Sequence, residues 1–216
     1  VRAGLPEPLE TVPAPDDRPA RRRRAGVEGN ARLTATTAAV LVVGLAAEGV
    51  TVLRVGPLLT LHVFIGMLLV PPILLKMGST GWRLARYYLG APEYRRRGPP
   101  PMLLRALGPV VVLLTVGLFA SGIALLLGPS TWRAPMLLLH KATFVLWLGA
   151  MAVHVLGHLL DTARLAPLDL VAKTRRQVRG AGVRQWAVAV SLLAGAALGV
   201  LLVPHVGPWL HGAAGR

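Results

Sequence analysis

Cysteine is absent from the 216-residue chain. That excludes disulfides, iron–sulfur clusters, thiolate-bound zinc and covalent c-type haem. Acids are scarce too, with nine Asp and Glu against 24 Lys and Arg and a formal net charge of +15. Charge of both signs together makes up only 15% of the chain, while 54% is hydrophobic. A soluble domain carries about a quarter charged residues. A chain this apolar and this cationic reads as a membrane protein whose cations lie in the loops of one side. No phosphate-binding Gly-Lys-Ser/Thr loop is present, nor a His-Glu-x-x-His zinc motif, nor a Gly-x-Ser-x-Gly nucleophile. Paired intramembrane carboxylates and internal repeats are also lacking, which weakens a small ion-coupled transporter.

What is there begins with a polar tail. Residues 1–31 are rich in Pro and Arg, with Arg21 to Arg24 as a run, and bury too little apolar surface to order themselves. The apolar stretch starts after residue 32 and is a full span rather than a secretory signal. A bilayer core takes about 20 apolar residues as helix. Five stretches qualify, at 33–53, 57–77, 102–127, 135–160 and 185–203, so the transmembrane domain covers 32–205 and 206–216 is a short tail. The expected fold is an all-α integral membrane bundle. Short turns at 53–57 and 128–135 make helices one and two, and three and four, antiparallel neighbours. Pro71 and Pro72 predict a kink in the second helix.

Orientation follows from the loop cations. Residues 78–105 hold Arg83, Arg86, Arg95, Arg96, Arg97 and Arg105; residues 161–184 hold Arg164, Lys173, Arg175, Arg176, Arg179 and Arg184. The opposite turns carry only Arg54 and Arg133. The positive-inside rule puts the N-terminus in the cytoplasm and the C-terminus outside. Trp82, Trp132, Trp186 and Trp209 fall near span ends, where indoles favour the interface.

Ionisable groups inside a span are functional candidates by default. Here they are Glu48, His62, Lys76, His140, Lys141, His154 and His158. His62 and His140 each lie about five residues in from the outer end of their helix, roughly 7–8 Å deep. Two histidines on different helices at one depth suit bis-imidazole ligation of haem b. Gly66, Ser121 and Gly122 offer low-profile surfaces at similar depth. Glu48, near the same depth, suits a partner for the second nitrogen of an imidazole, or an ion pair with Lys141 or Arg54. Lys141 and His158 complete the candidate supporting set. His154 follows His140 by four helical turns, about 21 Å, and has Lys76 as its counterpart after His62. Lysine suits haem poorly, so a second haem is doubtful, and Lys76 reads better as a residue snorkelling to the interface. The segment 81–101 interleaves Arg with Trp and Tyr, a pattern suited to anionic headgroups or an acidic protein partner. Its place beside a membrane argues against nucleic acid.

With Leu61-His62-Val63-Phe64-Ile65-Gly66, Ala120-Ser121-Gly122-Ile123-Ala124-Leu125, Leu139-His140-Lys141-Ala142-Thr143-Phe144 and His154-Val155-Leu156-Gly157-His158, residues 57–160 resemble the bacterial membrane-integral b-type cytochromes. That four-helix group includes the cytochrome b subunits of hydrogenases and formate dehydrogenases. The segment Arg86 to Pro101 is similar to a pattern in integral membrane proteins of high-GC bacteria, as the excess of Arg over Lys also suggests. The resemblance implies a four-helix cytochrome b-like core plus a fifth helix in the bacterial inner membrane. It implies haem b on His62 and His140, with His154 a further ligand candidate, and electron transfer between quinone and a redox partner subunit. The enzymatic role would be at most that of an electron-transfer subunit of an oxidoreductase. Lys76 departs from the histidine a two-haem member would carry. The competing expectation is a haemless membrane subunit or scaffold whose histidines are hydrogen bonds between helices.

Overall fold

A computed structural model describes residues 18–96, 98, 102–171, 173 and 180–212. Among them every regular element is helical. We number the α-helices α1 (Arg18–Leu53), α2 (Val55–Tyr88), α3 (Pro92–Arg95), α4 (Met102–Leu127), α5 (Arg133–Leu170), α6 (Ala181–Leu202) and α7 (Gly207–Gly212). Five are long and apolar enough to cross a membrane: α1, α2, α4, α5 and α6. The expected segments 1–17, 99–101 and 213–216, and the loop cations Arg97, Arg175, Arg176 and Arg179, lie outside the described residues.

The helices outrun the apolar stretches that announce them. Apolar residues stop where lipid stops, whereas backbone hydrogen bonding continues into the polar zone. At 1.5 Å per residue, the 34 residues of α2 reach about 51 Å, well beyond a hydrocarbon core of about 30 Å. α2 therefore continues to Tyr88 and α5 to Leu170, correcting the expected ends at 77 and 160. α6 starts at Ala181 rather than 185. The largest correction falls on the tail. Residues 18–31 are the first turns of α1, and Val27 is buried against Ala91 and Tyr94, with Tyr87 alongside. Packing on the end of α2 and on α3 supplies the apolar burial that 18–31 lacks on its own. α2 runs as one helix through Pro71 and Pro72.

The expected antiparallel pairs α1·α2 and α4·α5 both form. Two further contacts set the architecture: α1 also packs on α5, and α2 on α6. The spans thus follow one another in space as α4, α5, α1, α2, α6. α2 and α5 are not close-packed neighbours, and both lean on α1. Trp147, the one mid-span indole, is buried and donates to Thr115 Oγ1 at 2.9 Å, which joins α5 to α4. At the basic end, Asn30 Nδ2 donates to the Ser79 carbonyl at 3.0 Å. There too, Arg184 grips the fully buried Asp169 through two bonds of 2.5 and 2.6 Å. Arg133 stacks over Trp209 at 4.8 Å, so α7 sits at the short-turn end.

α6 reaches α2 through glycine. A Cβ added at Gly195 would lie 2.1 Å from the Leu68 carbonyl oxygen, and one at Gly199 would lie 2.6 Å from the Phe64 ring. The two glycines stand one helical turn apart on the buried face with Val188 and Ser191. This is a small-xxx-small seam that lets two backbones touch. Sequence reasoning missed it, although Gly195-x-x-x-Gly199 was there to be read.

Candidate functional site

Near the short-turn end, α2 and α5 bring His62 and His140 together. Their ring centroids are 6.5 Å apart and the planes nearly perpendicular, at 84°. Each ring is held by its own neighbouring helix. His62 Nδ1 lies 2.8 Å from Glu48 Oε1 on α1, with side chains 21% and 16% exposed. Thr51, fully buried one turn beyond Glu48, places its Oγ1 3.1 Å from the same nitrogen. That hydroxyl donates its single proton within Glu48, to the carbonyl at 2.7 Å or the carboxylate at 3.1 Å. Both groups facing His62 Nδ1 are therefore acceptors, and Nδ1 carries the proton.

The same reasoning applies to His140. Its Nδ1 lies 3.0 Å from Ser121 Oγ and 3.1 Å from the Leu118 carbonyl, both on α4. Ser121 donates its own proton back to Gly117 O at 2.7 Å or Leu118 O at 3.0 Å. His140 Nδ1 must then donate. So each Nδ1 carries a proton, and whenever such a ring is neutral its lone pair is on Nε2. Neither Nε2 has a hydrogen-bond partner among the described residues. A protonated Nδ1 bonded to carboxylate or carbonyl, with a free Nε2, is how proteins orient an imidazole for a metal.

The glycines differ in what they do. A Cβ at Gly122 would stand 3.1 Å from His140 Cε1, so the absent side chain makes room for the ring. At Gly66 a Cβ would meet Glu48 Oε1 at 3.6 Å, an ordinary contact. Ser121, expected only as a low surface, is a hydrogen-bond partner of His140. Thr51 was not foreseen, and its place three residues after Glu48 was the available signal. Lys141 is corrected. It lies on the exposed face of α5 and forms no ion pair with Glu48, whose carboxylate goes to His62. Arg54 is likewise exposed and apart from Glu48.

His154 and His158 do not join this site. They form a second cluster toward the basic end of α5, with ring centroids 4.8 Å apart. Lys76 of α2 is within electrostatic reach of both rings, and Arg83 and Asp161 within reach of His158. His154 Nδ1 is buried without a hydrogen-bond partner. Among the described residues no three His, Asp, Glu or Cys groups converge to hold a bare metal ion. A porphyrin supplies four equatorial nitrogens of its own, so a haem asks the protein for only two axial ligands. No family model, no curated protein and no solved structure matches the chain.

Proposed function

We propose that the chain is a membrane electron-transfer protein of b-type cytochrome character, holding one haem b between α2 and α5 through His62 and His140. What supports this reading is the paired hydrogen bonding: two imidazoles, on two helices, each fixed through Nδ1, with no partner at Nε2 among the described residues. His62 and His140 would hold the haem iron, since a haem asks the protein for two ligands. Their ring centroids stand 6.5 Å apart, so both rings reach one shared space between α2 and α5. Haem b, when bound, supplies a one-electron iron couple. The chain's own residues do the rest. His62 and His140 bind, Glu48 and Thr51 aim one ring, and Ser121 and the Leu118 carbonyl aim the other. Apolar helices around them exclude water. A quinone or a redox partner subunit would exchange the electron, with the basic end of the bundle facing the cytoplasm.

A second reading, a haemless membrane subunit or scaffold, draws on the same Nδ1 bonds, since each ties one helix to its neighbour. Colour separates the two. Protein purified from haem-replete cells is expected to show a reducible Soret band, lost in His62→Ala and in His140→Ala but kept in His205→Ala, a change at an exposed histidine. A colourless preparation, or a spectrum indifferent to His62 and His140, would sink the haem reading.

A further inference from the structure

The cluster of Lys76, His154 and His158 plays no part in that function. Lys76 Nζ has neither an ion pair nor a hydrogen bond among the described residues. Its side chain is nevertheless half-buried on α2. His154 Nδ1 is buried and orphaned. Three nitrogen-bearing side chains thus lie within electrostatic reach of one another, and among the described residues the only acid acting on them is Asp161, felt by His158. A half-buried cation and a buried nitrogen without partners are both costly, and an anionic oxygen donated from outside the chain would satisfy both.

Depth says where that oxygen comes from. Lys76 stands four helical turns from His62, and His154 four turns from His140, about 21 Å toward the basic end. That is where about 20 apolar residues of span run out. Arg83 lies two turns further along α2. Trp82 is 58% exposed there and carries the Arg86 guanidinium over its ring at 5.8 Å, an interfacial arrangement. The cluster therefore lies at headgroup level, where the abundant anionic oxygens are lipid phosphates.

We infer that Lys76, His154 and His158 form a binding site for the phosphate of an anionic phospholipid, inserted between α2 and α5 at the basic end. Lys76 supplies the charge and the two imidazoles supply donors. The site is independent of whether haem is bound.

Native mass spectrometry of the delipidated full-length chain tests it, with phosphatidylglycerol and phosphatidylcholine of equal acyl composition as probes. Wild type is expected to bind phosphatidylglycerol about tenfold more tightly than phosphatidylcholine. Lys76→Met and His158→Phe are expected to erase that preference. Arg95→Gln with Arg96→Gln, exposed at the end of α3, is expected to leave it intact. An unchanged preference in Lys76→Met, or a loss confined to the double arginine variant, would overturn the site. Displacement of the lipid by an equal concentration of glycerol phosphate would overturn lipid as the source. Should Lys76→Met fail to give monodisperse protein, Lys76→Arg decides together with His158→Phe. The preference must survive the first and vanish in the second.

Discussion

An imidazole has two nitrogens and, when neutral, one proton, so whatever holds the first nitrogen decides what the second can do. At His62 the holder is a carboxylate 2.8 Å away; at His140 it is a carbonyl and a hydroxyl. Both rings donate from Nδ1, but their charge environments differ. If His62 holds haem as proposed, a carboxylate on Nδ1 would make Nε2 the more basic ligand and favour the oxidised iron. Glu48→Gln keeps an acceptor for the Nδ1 proton and removes the negative charge. It is expected to retain the haem spectrum while raising the midpoint potential on the order of 60 mV, a tenfold shift for a one-electron couple. Potentiometric titration in detergent checks this, and an unchanged potential would show that Glu48 is not beside a ligand of the iron. The sequence carried part of this site. Counting from span ends put His62, His140 and Glu48 at one depth. Which carboxylate oxygen, hydroxyl or carbonyl faced each nitrogen depended on helix rotation, which depth does not specify. Lys141 shows the gap, being adjacent to His140 in sequence and turned to the exposed face of α5.

At the scale of elements, lipid offers no hydrophobic drive for helices to associate, because tails are as apolar as leucine. Close backbone approach must do that work, and α6 shows how. Gly195 sets its Cα face against the Leu68 carbonyl, where a methyl at 2.1 Å has no room. The obstacle is backbone and cannot swing aside. Gly195→Ala is expected to cost about 1–3 kcal/mol through overpacking, read as a lower melting temperature in detergent. Gly149→Ala, on α5 with nothing within 4 Å, is expected to be neutral or slightly stabilising, because alanine favours helix over glycine by up to about 1 kcal/mol. Equal melting temperatures for the two variants would remove Gly195 from the seam. The five spans were legible because apolar length is a one-dimensional property. Helix ends were not. α1 reaches back to Arg18 and α5 runs on to Leu170 through residues whose composition reads as loop. Non-sequential contacts, α1 with α5 and α2 with α6, left no trace in turn lengths.

On the scale of the whole molecule, charge and chemistry are separated along the bundle axis. The His62–His140 pair sits toward the short-turn end, where Arg54 and Arg133 are the nearby cations. Arg83, Arg86, Arg95, Arg96 and Arg105, with Lys76 just inside them, gather at the other. Translocating such a cluster against an inside-negative potential costs about 2.3 kcal/mol per charge per 100 mV. The basic end is therefore expected to stay in the cytoplasm, with the histidine pair near the outer face. The missing cysteines make this directly measurable, since the native chain is already a blank background for single-cysteine labelling. Ser130→Cys, at the short-turn end, is expected to react with a membrane-impermeant maleimide in intact cells. Arg96→Cys, exposed at the basic end, is expected to react only after permeabilisation. The reverse pattern would place the histidine pair on the cytoplasmic side, so that any haem there would exchange electrons with cytoplasmic rather than external partners. Labelling of both positions in intact cells would mean that the loop cations do not set a single orientation.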